Sequence, residues 1–104
     1  MLPISEASFM QQVKALAYLH GWVVHHSQPS MTRTGRYMTM GSVGFPDLVM
    51  AHQDKGVIFA ELKTEKGKTT VAQDYWRSSL ERHAECYLWR PSDLDFIAQR
   101  LASC

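Results

Sequence analysis

The stretch DLVMAHQDKGVIFAELK, Asp47 to Lys63, decides how the chain is read. Two apolar runs, DLVMAH and GVIFAELK, flank QDKG, whose Asp and Gly are turn formers, so the segment reads as a β-hairpin. The second run begins like a core strand and ends with a carboxylate and an ammonium, Glu61 and Lys63. Side chains alternate across a strand, which puts Val57, Phe59, Glu61 and Lys63 on one face and Ile58, Ala60 and Leu62 on the other. An ionised carboxylate on an apolar row costs several kcal/mol unless it meets a partner, a metal or water at the strand end. A hairpin turning near Asp54 to Gly56 brings Asp47 opposite a residue within one position of Leu62, beside Glu61 and Lys63. Whether all three then share a face depends on the turn, and a bulge at its glycine would change the answer.

Outward from the hairpin, helix and strand signals alternate. From Ser5 to His20, Phe9, Val13, Leu16 and Ala17 recur at helical spacing and Gly21 follows where a helix would stop. WVVHH, Trp22 to His26, reads as a short strand. Ser27 to Phe45 is rich in Ser, Thr and Gly and reads as a long loop with room for a strand around Tyr37 to Met40. After Gly67, Thr70 is placed to cap a helix that carries Trp76 and Leu80 and runs to about Ala84. CYLWR, Cys86 to Arg90, is a further strand; Pro91 breaks it, and a last helix follows with Ser92 and Asp95 spaced as a capping box. The order is α-β-β-β-α-β-α, which predicts an α/β fold with helices on the faces of a mixed sheet.

The 104 residues suit one domain spanning 1–104. A 45% apolar and 20% charged composition is that of a folding globular chain and excludes a disordered one. There is no basic start before an apolar run and no stretch of about 18 apolar residues, so no export signal or membrane span is expected, and the cytoplasm is the expected location. Two cysteines, Cys86 and Cys104, make neither a metal-ligand pair nor a disulfide framework. A net charge of +1 points to no partner, since dedicated duplex binders are more often clearly basic.

Two converging carboxylates repel unless a cation joins them. Hard oxygen donors with open positions suit Mg²⁺ or Mn²⁺, and a neighbouring lysine can then steer a water or stabilise charge growing on phosphorus. An isolated Glu-x-Lys is more often a solvated pair at a strand end, worth little energetically. The surrounding residues argue against that account here.

FPDLVMAHQDKGVIFAELK resembles the PD-(D/E)xK nuclease motif, with Pro46-Asp47, a hairpin, and Glu61-Leu62-Lys63. The continuation TEKGKTTVAQDYW, with Gln73 in the first turn of a helix, and the ending WRPSD are similar to the VRR-Nuc branch of that superfamily, and Glu6 in the first helix fits as well. The resemblance implies a restriction-endonuclease-like fold. It also implies a metal held by Asp47, Glu61 and the backbone carbonyl of Leu62, with Lys63 as base or transition-state stabiliser and Glu6 as an outer ligand. Gln73 would touch Lys63 or the bound phosphate, although its spacing from Thr70 is equally that of a capping box. Glu6, in a first helical turn, is better accounted for by the helix dipole.

Members hydrolyse DNA phosphodiesters, and stand-alone short ones resemble dimeric Holliday-junction resolvases, so a structure-selective endonuclease acting on branched DNA as a homodimer is the expectation. A flap- or single-strand-selective repair nuclease, a non-catalytic nucleic-acid-binding module of the same fold, and an ordinary interaction domain are the alternatives. Candidate DNA contacts are Arg33, Arg36 and Tyr37 in the long loop and Lys66 and Lys68 between strand and helix. Gly67 to Thr70, GKTT, is not a P-loop, because position 62 is Leu where that motif requires Gly. The five histidines show no ligand spacing and are expected to be surface or core residues.

Overall fold

The computed structural model describes residues 3–27, 29–31, 37–39 and 43–103. Helix α1 spans Glu6–Leu19, and Ser5 caps it by accepting from the Ser8 amide at 3.1 Å. Phe9, Val13 and Ala17, at four-residue intervals, are fully buried, and Gly21 at φ +83° turns the chain out of the helix. Strand β1 (Val23–His26) follows, then a short antiparallel ribbon of β2 (Pro29–Met31) and β3 (Tyr37–Thr39). The ribbon lies inside the segment read as a loop. Its β3 falls where a strand was expected, while Pro29, which cannot donate to a ladder, hid β2.

Strands β4 (Leu48–His52) and β5 (Gly56–Leu62) form the hairpin, and after α2 (Val71–Leu80) and β6 (Glu85–Trp89) the chain closes with α3 (Leu94–Ala102). The main sheet has the order β1-β4-β5-β6, antiparallel except for the β5–β6 pair. Leaving the ribbon aside, the elements run α-β-β-β-α-β-α as the sequence predicts.

Alternation along the strands sorts the side chains into two layers. Leu48 and Met50 of β4, with Ile58, Ala60 and Leu62 of β5, are buried with Phe9, Met10 and Val13 of α1, Ile97 and Leu101 of α3, and Trp22 and Trp89. Burying each such large side chain contributes about 1.5–3 kcal/mol. On the opposite face, Phe59 meets the edge of Phe45, and Phe45 meets the edge of Trp76 from α2, with ring centroids 6.2 and 5.1 Å apart. Far from the open end of the hairpin, Trp22 Nε1 donates to the Leu101 carbonyl at 2.8 Å, and Arg100 bonds both Glu85 and the Lys55 carbonyl, tying α3 to the sheet.

Two boundaries differ from the sequence reading. Helix α2 stops at Leu80, and residues 81–84 form turns in which the His83 and Ala84 amides both bond the Leu80 carbonyl. Ser92 and Asp95 form no capping box: a 3₁₀ turn at Pro91–Asp93 precedes α3, and Asp93, not Asp95, reaches back to accept from the Arg90 amide at 2.8 Å. Proline at the first position favours that tight turn and shifts the cap by two residues. No helix among the described residues is long and apolar enough to cross a membrane.

Candidate active site

The hairpin turn sets the site. Cα pairs run from His52↔Gly56 to Leu48↔Ala60, leaving three loop residues, Gln53 to Lys55, and Gly56 takes φ +110°, open to glycine at no steric cost. One more step of this register puts Asp47 opposite Glu61, and directly opposed side chains share a face. On the other side of β4, the Ser27 amide bonds the Asp47 carbonyl at 2.9 Å, extending the β1–β4 ladder by one pair. Ser27, Asp47 and Glu61 therefore form a row across three strands at the sheet's open end.

Asp47 is held in place from both directions along the chain. Its Oδ2 accepts from the Leu62 amide at 2.8 Å. Upstream, Gly44 has φ +85° and lies against the backbone of Ala72 in α2, while Phe45 is packed on Trp76 and Phe59. In extended chain a residue's N–H and C=O leave on the same side. The Leu62 carbonyl thus points toward Asp47, since its amide does, whereas the Lys63 amide bonds the Trp89 carbonyl on the β6 side at 3.0 Å.

Glu61 is 3% exposed, the one charged residue in the core of the described chain. Burial, then the charge of Asp47 and a hydrogen bond shared with it, push its carboxyl up to about 8; Lys63 opposes this and Glu6 adds to it. Lys63 follows on the same row of the strand, half-buried. Gln73 answers two questions at once. Its amide oxygen accepts from the Thr70 amide at 2.9 Å and its own N–H bonds Thr70 Oγ1 at 3.1 Å, closing a capping box. The amide nitrogen is then left facing the sheet and donates to Glu61 Oε1 at 2.6 Å. The capping box is present, and the side chain's partner on the sheet is Glu61 rather than Lys63.

A cleft beside Asp47 is lined by Glu6, Ala7, Met10 and Gln11 of α1 and by His26 and Ser27. Glu6 thus stands at the same end of the molecule as the carboxylate pair. For His26, a histidine with no ligand spacing in the sequence, burial, then Lys14, lowers the pKa while Asp47 works against them. Its place follows from the β1–β4 pairing, His26↔Leu48, which no short-range signal in the sequence discloses. Lys66 and Lys68 are exposed in the turn between β5 and α2. That turn is gathered by Arg90, whose Nη1 bonds the Thr64, Glu65 and Gly67 carbonyls at 2.6, 3.1 and 2.8 Å. Arg33 and Arg36 lie outside the described residues, and Tyr37 begins β3.

No group of three or more His, Cys, Asp or Glu side chains is assembled for a metal among the described residues. Two adjacent carboxylates, with a backbone carbonyl aimed at them, still fit a hard divalent cation that keeps several waters; Mg²⁺ is usually bound through one or two carboxylates.

The fold has a solved counterpart. A solved structure titled "VRR_NUC domain" superposes with a TM-score of 0.66 at 20% identity, covering 90% of this chain and 94% of that one. The sequence matches no protein-family model, and no curated protein is similar to it at a significant level.

Proposed function

We propose that this chain is a single-domain, divalent-metal-dependent DNA endonuclease of the VRR-Nuc kind. The observation that carries the reading is the pairing of Asp47 with Glu61 at the open end of the hairpin, with Lys63 next on the same row. Asp47, Glu61 and the Leu62 carbonyl would hold Mg²⁺ or Mn²⁺, with Glu6 reaching it through water. A divalent ion bound there supplies Lewis acidity and lowers the pKa of a water molecule.

The chain's own groups do the rest. Lys63 stands where its ammonium stabilises negative charge growing on the phosphoryl oxygens as water attacks phosphorus and the 3′-oxygen leaves, or where its neutral amine accepts the proton of that water. Gln73 fixes the orientation of Glu61. Lys66 and Lys68, with Arg33, Arg36 and Tyr37, contact phosphates and position the strand without reading sequence. Symmetric cutting of a four-way junction requires two sites related by a two-fold axis, so a homodimer acting on branched DNA in the cytoplasm is the assembly proposed. Keeping Asp47, Glu61 and Lys63 together favours catalysis over a binding module that shares only the fold.

The test is incubation with flap, splayed, single-stranded and four-way DNA, with and without Mg²⁺ or Mn²⁺. Cleavage is expected only with metal, and Asp47→Asn and Lys63→Ala are expected to abolish it while leaving DNA binding. Equal cutting by either variant overturns the assignment.

A further inference from the structure

The cleft between α1 and the ends of β1 and β4 has a volume of about 340 Å³ and opens onto Asp47. Cavities of roughly 300–1,000 Å³ accept small-molecule-sized groups. Its walls are chemically mixed: the exposed Ala7 and the buried Met10 are apolar, and Gln11, His26 and Ser27 give polar edges and an aromatic ring. No lysine or arginine is among the described lining residues, which include the carboxylates Glu6 and Asp47. Apolar surface beside an aromatic ring and hydrogen-bonding edges suits a flat, neutral ring.

Resting on the nuclease reading above, we propose that this cleft seats the base of the nucleotide next to the scissile phosphate. Asp47 joins the two: it belongs both to the carboxylate pair and to the cleft wall, so a strand whose phosphate lies at the pair has its adjacent base within reach of the cleft. A base lying between a helix and a sheet edge has left the duplex stack. Leaving costs least where the nucleotide is already unpaired, so the cleft selects DNA with an unpaired nucleotide beside the cut: flap bases, splayed arms and branch points rather than continuous duplex.

The experiment fills the cleft from its exposed wall. Ala7→Trp, and Gln11→Trp as an independent variant, change exposed helix positions outside the carboxylate pair, and unfolding curves check that each folds. Cleavage of splayed DNA is measured with the flanking nucleotide intact or abasic. For the wild type, kcat/KM is expected to fall about tenfold on the abasic strand, in line with the loss of one stacked base. Each Trp variant is expected to lose a similar factor on the intact strand and nothing further on the abasic one. Equal wild-type rates on both strands, or Trp variants that slow both equally, overturn the cleft proposal while leaving the nuclease reading standing. Absence of Mn²⁺-dependent cleavage of any of these DNAs overturns the nuclease reading and the cleft proposal with it.

Discussion

Gln73 is shared between helix and sheet: its amide oxygen closes the capping box of α2 while its amide nitrogen donates to Glu61 at 2.6 Å. The start of α2 and the orientation of the buried carboxylate are therefore set by one side chain, and the two roles can be separated by mutation.

Thr70→Ala removes the cap and keeps the bond to Glu61. It is expected to cost about 1 kcal/mol of stability and little activity. Gln73→Ala keeps the bond from the residue-73 backbone N–H to Thr70 Oγ1 but loses the reciprocal half of the box and the bond to Glu61, and losing the partner that orients a ligand is expected to reduce metal affinity or cleavage by roughly 10–100-fold. Urea unfolding and cleavage rates on the two variants check this. Matching activity losses would show that Gln73 acts only through the helix.

Glu61 gives the metal-free protein an unusual response to pH. Its folded pKa, about 8, lies above its unfolded value of roughly 4.3. A carboxyl whose pKa is raised by folding stabilises the protein fully below the unfolded value, and that contribution is lost as pH rises through the folded one. With chelator present, unfolding free energy is expected to decline between about pH 4.5 and 8, a slope that Glu61→Gln flattens. Below pH 8, Mg²⁺ or Mn²⁺ uptake should expel a proton from the pair, read by calorimetry in buffers of different ionisation enthalpy. A flat stability profile for the wild type would contradict a Glu61 carboxyl buried beside Asp47.

The element order and the hairpin were legible in the sequence because each strand and helix carries its own period. So was the meeting of Asp47, Glu61 and Lys63, since antiparallel pairing has a nearly constant index sum. What the sequence left open was parity. Loops of two or four residues in this hairpin would set Asp47 opposite Ala60 or Leu62 and turn it to the other face; the three-residue loop ending at Gly56 sets it opposite Glu61. The cleft was not legible either, because His26 reaches it through long-range pairing of β1 with β4. The Arg90 clamp on the Lys66 turn spans more than twenty residues and likewise leaves no local mark.

Gly44 carries the last constraint on Asp47. Its φ of +85° is costly for any residue with a side chain, and a Cβ there would lie 2.5 Å from the Ala72 carbonyl carbon and 2.7 Å from its oxygen. Gly44→Ala therefore forces either a strained backbone or a shift of the first turn of α2, at a cost of about 1–3 kcal/mol or more. Because the nearest atoms are main chain, trimming the neighbour does not restore the fit: Gly44→Ala with Ala72→Gly is expected to remain destabilised. The same shift moves Phe45 on Trp76 and reaches Asp47, three residues along, so Mn²⁺ affinity should fall with stability. Urea midpoints and metal titration read the two effects separately. A Gly44→Ala protein with wild-type stability and metal affinity would mean that this contact does not place Asp47, and that the hairpin register alone holds the carboxylate pair together.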